Sequence, residues 1–378
     1  MTLFSADPLV PSDPVLSERR TPRRRSVTVG WVMLAVGLVG ALVLGFLPTP
    51  YVIERPGPVF DTLGDVQISG EEQPLIDIAD EETFPTEGTL DLLTVNIVGS
   101  PDDPPNWVEV ALAWFDSSKA VVPIENVFPA GITREESSEQ SALDMTNSQQ
   151  EAIAAALRQQ GYDVPGVVVV AGLVDGSPAV GAVEEGDEIL VVNGTAVQDV
   201  TELRELIAEN GTDAPLEMTI RRDGAEQDVE VTPAISPDDG ATPIIGIFTG
   251  ARYEYPFEVT IQLENVGGPS AGMMFALGII DKLTPGAMTG GESIAGTGTI
   301  TADGAVGGIG GIRQKMYGAL DAGASWFLAP ASNCGEVVGN IPDGLTVYSV
   351  ETLDDALAAV EAVGTGEGRD ALATCEAP

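Results

Sequence analysis

Ser270 stands in "NVGGPSAGMMFALGIIDKL", between a glycine-proline turn and an apolar run that reads as a buried helix. A serine there has two readings. Its hydroxyl can cap the helix by accepting from an orphaned backbone N–H, or it can attack a carbonyl as a nucleophile. The chain contains no histidine, which excludes Ser-His-Asp and Cys-His catalysis and any histidine-ligated zinc. A hydrolytic serine therefore needs another base, and lysine is the remaining type. The lysines are Lys119, Lys282 and Lys315. Lys119 lies in the polar "DSSKA" loop, and Lys282 sits at a helix end, where a cation complements the carbonyl dipoles and stays hydrated. In "GGIGGIRQKMYGALDAGA" a helix is expected from about Ile312, with Ile312, Lys315, Met316 and Ala319 on one face at i, i+3, i+4, i+7 spacing. Lys315 thus falls on the apolar side. Desolvation there disfavours the ammonium and lowers its pKa toward the range of about 7 to 8 that suits a base. The alternative is a lysine that lays its stem on apolar surface and reaches water with its head.

Composition bounds what such a pair can act on. Across 378 residues, 58 acidic against 17 basic side chains leave a formal charge of -41. That field repels phosphates and anionic lipid heads, so nucleic acid is excluded as a partner of the folded part. The exception is local: "RRTPRRR", Arg19 to Arg25, precedes Val27 to Leu47, which carries no charge. About 20 apolar residues cross a bilayer as a helix, and arginines mark its cytoplasmic side. The expectation is a single N-terminal transmembrane helix with the N-terminus in the cytoplasm and everything after Pro48 outside; the competing reading, a cleaved signal peptide, lacks a small-x-small site. Cys334 and Cys375 are the only cysteines, and either form one disulfide in an external compartment or remain unpaired.

Between anchor and serine the chain divides by pattern. From Pro50 to about Ala142 it is acidic and proline-rich, with strand-like runs such as "TLDLLTVNIV" whose partners the sequence does not assign. Thr146 and Gln149 have capping-box spacing, and Ile153, Ala156 and Leu157 share a face, which predicts a short amphipathic helix. Then follow an apolar strand "GVVVVAGLV", a "DGSPA" turn and a strand "GDEILVVNG". After these come a helix capped by Asp199 and Glu202 and a hairpin about Asp223-Gly224. In that order these pieces resemble a PDZ domain over about ninety residues. The resemblance implies a groove that adds a peptide as an extra strand, near Leu203, Ile207 and the Val167 and Val169 strand. No GLGF-type carboxylate loop stands before Gly166. A domain that only spaces its neighbour is the plainer alternative.

A GPSAG serine opening an apolar helix, followed forty-five residues later by a lysine in GGIxxK, resembles the proteolytic domain of the Lon-type serine proteases. The resemblance implies a Ser-Lys dyad with Ser270 as nucleophile and Lys315 as general base. Thr297, in "AGTGTI", matches a threonine able to hydrogen-bond that lysine. Gly267 stands where some Lon domains have an acidic residue, and the turn at Gly267 and Gly268 is expected to contribute to the oxyanion site. Together with the PDZ-like segment and the anchor, the whole resembles the membrane-anchored bacterial PDZ-Lon proteins, which implies a possible homo-oligomeric ring. Neither G-x-x-x-x-G-K-[ST] nor G-x-G-x-x-G is present, and no cofactor or metal is called for.

The expected fold is thus α+β and multidomain. It comprises a basic cytoplasmic tail (1–25), a transmembrane helix (26–48), a β-rich membrane-proximal region (49–145), a PDZ-like domain (146–235), a Lon-like proteolytic α/β domain (240–358) and a tail (359–378). The expected function is an ATP-independent, extracytoplasmic serine endopeptidase at the cell membrane, acting on polypeptides that the PDZ domain captures. The alternative is a non-catalytic, PDZ-led binding or scaffold protein of the cell envelope with a degenerate Lon-like domain.

Overall fold

The computed structural model describes residues 23–45, 47–68, 70–128, 134–174, 176–236, 240–263 and 266–375. Its central feature is a six-stranded sheet in the order Thr346–Val350, Trp326–Pro330, Ser293–Gly296, Thr89–Val98, Tyr51–Asp61, Ala120–Pro123. The first four strands run parallel and the last two pairings are antiparallel. The run "TLDLLTVNIV" becomes the middle of this sheet because a strand covered on both faces needs apolar residues in succession rather than alternation. Leu90, Leu92, Ile294 and Leu328 face one layer of helices. Leu93, Ala295, Phe327 and Ala329 face the other.

This arrangement changes the expected map. Residues 49–145 were read as a region of their own, yet Thr89–Val98 pairs in parallel with Ser293–Gly296, some two hundred residues later. The unit built on this central sheet is therefore discontinuous, and a second sheet is inserted in it. A parallel pair needs a crossover rather than a hairpin, so no local pattern announces the partner.

The helix expected at Thr146 also differs. One long helix runs from Arg134 to Gln159, and Thr146 lies inside it with its hydroxyl donating to the Ala142 carbonyl. Capping-box spacing alone did not mark a start, because the threonine has a second outlet four residues back. The buried Met145, Ile153, Ala156 and Leu157 of this long helix pack with Met274, Leu277 and other residues of the Gly272–Leu283 helix.

The inserted sheet is antiparallel, ordered Ala225–Val231, Leu216–Arg222, Glu188–Val192, Gly166–Leu173, Ile247–Tyr253. Asn193 and Asp223 adopt left-handed φ of 49° and 52°, each before a glycine at 82° and 80°, which is the twist that tight hairpins require. Asp199 caps the Val200–Asn210 helix by accepting from the Glu202 N–H, and the Glu202 carboxylate accepts from the Gln198 N–H. The long helix ties this unit to the first: Glu151 accepts from Tyr253 Oη at 2.9 Å and from the Ala302 N–H at 2.6 Å. Arg158 lies 3.6 Å from Asp199 and donates to the Ala302 carbonyl.

Cys334 and Cys375 are joined by a disulfide. It holds the C-terminal segment beside the edge strand Thr346–Val350, where the Ser349 N–H donates to the Ala373 carbonyl. At the other end, Arg23–Leu44 is helical. Among the described residues, no helix is long and apolar enough to cross a membrane. Much of the expected span of residues 26–48 falls outside the side chains described, which in this helix are those of 28–40. The basic tail of residues 1–25 lies almost wholly outside the described residues.

Because the central strand of the proteolytic sheet lies before the inserted unit, a fragment of residues 240–378 is expected to lack a cooperative thermal transition that the full chain shows. Circular dichroism melts check this; a sharp transition in the fragment would contradict the discontinuous sheet.

Candidate active site

The turn before the Gly272–Leu283 helix decides what Ser270 does. Ala271 occupies the N-cap position and no side chain caps the helix. Ser270 is thus not the cap. The long helix holds the turn from behind: the Gly268 N–H donates to the Ser141 carbonyl at 2.8 Å, and Ser148 Oγ donates to the Pro269 carbonyl at 2.9 Å. Gly268 has φ +87°, which glycine adopts without strain. At Gly267 a Cβ would stand 2.7 Å from Ser141 Cβ. The acidic residue some Lon domains carry there has no room, because the long helix passes too close. Ser141 and Ser148 escape sequence reasoning, since polar residues in a helix give no local sign of a contact more than a hundred positions away.

Lys315 arrives from the opposite layer. The Ile312–Asp321 helix starts behind Gly311, in the left-handed region at φ 68°, and buries Ile312, Lys315, Met316 and Ala319 as its periodicity requires. Lys315 is 2 % exposed. Its Nζ donates to Ser270 Oγ at 2.7 Å and to Thr297 Oγ1 at 2.9 Å. Thr297 directly follows the parallel strand Ser293–Gly296, so the three side chains meet at the carboxyl end of that strand, where both helix layers open.

The protonation state follows from the partners. Burial without a neighbouring carboxylate lowers the Lys315 pKa to about 7. Thr297 Oγ1 donates its own hydrogen to the Ser270 carbonyl at 2.9 Å, so toward Lys315 it only accepts. A neutral lysine therefore gives an N–H to Thr297 and keeps its lone pair for Ser270. No histidine enters this triad. Among the described residues no group of histidine, cysteine or carboxylate side chains could hold a metal ion.

Ser270 and Lys315 open on a cleft of about 530 Å³ whose walls include Pro58, Thr94, Val95, Ile97 and Met145. Strand Thr89–Val98 pairs with Ser293–Gly296 only as far as Leu92. Beyond it, Leu93 to Val98 keep one edge unpaired among the described residues, alongside the serine.

In the inserted unit the expected groove residues are placed differently. Val167 and Val169 belong to a strand paired on both sides, to Glu188–Val192 and to Ile247–Tyr253. Leu203 and Ile207 are buried at 2 % and 6 % in the core of that unit. None of the four lines an open edge. The edge strand is Ile247–Tyr253, beside the Val200–Asn210 helix. It opens with Ile245-Gly246-Ile247-Phe248, an apolar-glycine-apolar turn of the kind sought before Gly166, and Phe248 is 61 % exposed. The signal was in the sequence, but some eighty residues downstream of where strand order suggested looking.

The buried amine has a stability consequence. A lysine whose folded pKa is lowered destabilises the fold fully below that pKa, and the penalty fades as pH rises toward the unfolded value of about 10.4. Its size at pH 7 is about 4 kcal/mol, partly offset by the two hydrogen bonds. Lys315→Met is expected to gain about 2 kcal/mol at pH 7 and to lose most of that gain by pH 10. Denaturant melts at both values check it, and equal gains would contradict it.

Two stretches of the chain match known protein families. Residues 139–232 match the family model of the PDZ domain, and residues 265–362 that of the Lon protease (S16) C-terminal proteolytic domain. Lon protease 2 of Herpetosiphon aurantiacus is 40% identical over 115 residues, covering 29% of this chain and 14% of that protein. The archaeal Lon protease of Methanothermobacter thermautotrophicus is 31% identical over 134 residues, covering 34% of this chain and 20% of its own. The chain spans about a seventh of the length of the first of these relatives. Among solved structures, the PDZ domain of an SdrC-like protein from Listeria monocytogenes aligns at 24% identity with a TM-score of 0.20, covering 22% of this chain and 85% of that one. The chain thus joins a PDZ domain to the proteolytic domain of the Lon-type (S16) serine peptidases.

Proposed function

We propose that this chain is a membrane-anchored, ATP-independent serine endopeptidase that cleaves extracytoplasmic polypeptides with Ser270 as nucleophile and Lys315 as general base. The observation that carries the reading is the 2.7 Å approach of Lys315 Nζ to Ser270 Oγ inside a pocket that keeps the amine near neutrality at pH 7. The unpaired edge at Leu93 to Val98 suits an extended substrate backbone running past the serine. Neutral Lys315 takes the Ser270 hydrogen as Oγ attacks the peptide carbonyl. The Gly268 N–H is engaged by Ser141, and those of Gly272 and Met273 by the Pro269 and Gly298 carbonyls, which leaves the N–H groups of Ser270 and Ala271 as donors to the oxyanion. Lys315 then gives its proton to the leaving amine. Water, deprotonated by the same lysine, clears the acyl-enzyme and returns the hydrogen to Oγ.

Location and capture belong to the same reading. The uncharged run Val27 to Leu47 behind an arginine cluster supports an anchor with the catalytic part outside. The Cys334–Cys375 disulfide supports an oxidising compartment. The sequence carries neither nucleotide-binding fingerprint, in keeping with catalysis without ATP. A flexible polypeptide is captured as an added strand along Ile247–Tyr253, with the Ile245 to Phe248 turn at its end.

The test is covalent. A serine-reactive phosphonate added to the full chain in detergent at pH 8.5 is expected to leave one adduct by intact mass, absent from Ser270→Ala and Lys315→Met. Adduct formation should rise about tenfold from pH 6 to pH 8 as Lys315 loses its proton; a flat profile would sink the lysine base. For capture, a titrated unfolded peptide is expected to perturb backbone resonances of Ile247–Tyr253 and leave the twice-paired Gly166–Leu173 strand nearly still. The reverse pattern would overturn the placement of the groove.

A further inference from the structure

A short helix, Trp107–Trp114, lies outside both the dyad and the PDZ edge. Asn106 caps it with its side chain accepting from the Val108 and Glu109 N–H groups, and Glu109 closes the capping box. Its inner face buries Val110 and Ala113 against Ile53, with Tyr51, Val98 and Val121 around them. Its outer face does the opposite. Val108 is 39% exposed, Leu112 67%, Trp114 60% and the following Phe115 92%. An apolar set of this kind on one short element marks a contact surface.

Its position says what it contacts. Thr49 donates both its N–H and its hydroxyl to the Pro105 carbonyl, at 3.1 and 2.8 Å. Pro48 pairs with Asn106, and the Ile124 N–H donates to the Pro50 carbonyl. The start of the helix is thereby fastened to residues 48–50, directly after the uncharged run that ends at Leu47. The Arg23–Leu44 helix also contacts it.

We infer that Trp107–Trp114 and Phe115 form a foot that inserts into the headgroup region of a zwitterionic bilayer, beside the point where the chain enters it. Tryptophan, phenylalanine and leucine are the side chains that settle at this boundary, and a helix lying in the plane with one apolar face is the form they take there. The overall charge of -41 disfavours anionic lipid, so apolar insertion rather than charge supplies the attraction. Four exposed side chains are far fewer than the roughly 20 to 30 residues that each partner contributes to a stable protein interface. The foot holds the catalytic cleft at a fixed height above the membrane, since Tyr51–Asp61 and Thr89–Val98 underlie both. The orientation rests on the anchor proposed above.

The experiment uses the full chain in phosphatidylcholine vesicles with and without brominated acyl chains. The fluorescence difference between the parent and Trp114→Phe isolates Trp114, whose exposure makes that change harmless to the fold. Bromine is expected to quench this difference at least twofold; a difference that bromine leaves unchanged overturns the foot. Alkaline carbonate extraction of the same vesicles reports the anchor independently. Extraction of the chain with Trp114 still quenched removes the anchor and keeps the foot as a peripheral surface. Retention with Trp114 unquenched keeps the anchor and removes the foot. If Leu112→Glu converts a detergent-solubilised oligomer to a monomer, the face belongs to a second copy and the proposal falls.

Discussion

One buried amine, Lys315, organises the proteolytic half of the molecule. An ammonium in an apolar layer is expensive, and the usual remedy is a carboxylate partner. Among the described residues none stands beside Lys315, despite the abundance of acidic residues in the chain. A carboxylate would hold the proton on the amine and end its usefulness as a base. The fold instead surrounds it with hydroxyls, those of Ser270 and Thr297. Thr297 sets direction as well as polarity, because its hydrogen is committed to the Ser270 carbonyl. The low pKa, the orientation of the lone pair and the placement of the serine turn are therefore one constraint seen from three sides.

That constraint needs rigid support from elements far apart in the chain. The two helices that carry Ser270 and Lys315 lie on opposite faces of the sheet and meet only where Ser293–Gly296 ends. The long helix Arg134–Gln159 then braces the serine turn through Ser141 and Ser148 and grips the PDZ edge through Glu151. Burial pushes the Glu151 carboxyl up, and the hydrogen bonds from Tyr253 and Ala302 pull against that rise. One rigid rod thus touches both the edge strand of the PDZ sheet and the serine turn.

The chemistry was more legible than the architecture. Absence of histidine and the i, i+4 face around Lys315 are local facts, and they singled out the same residues that the fold brings together. The hairpins at Asn193 and Asp223 and the cap at Asp199 were readable for the same reason. What could not be read were pairings between distant segments. "TLDLLTVNIV" looks like a strand without saying that it lies beside Ser293, and Gly166–Leu173 looks like an edge until Ile247–Tyr253 closes over it. The Thr146 spacing misled because a capping signal competes with continuation of a helix already under way, and tertiary packing decided for continuation. The cysteines left two outcomes open, since pairing depends on a Cα separation no spacing reveals.

The interleaved order of the chain carries a consequence for synthesis. The strand at the middle of the larger sheet is made early, the PDZ sheet next, and Thr297, Lys315 and the outer parallel strands last. A growing chain can complete its PDZ sheet while Thr89–Val98 still waits for its parallel neighbour Ser293–Gly296. Such long-range closure is slow, because chain entropy is lost before the contacts that reward it exist. Ser270 and Lys315 meet only once that closure has brought their two helices onto opposite faces of one sheet.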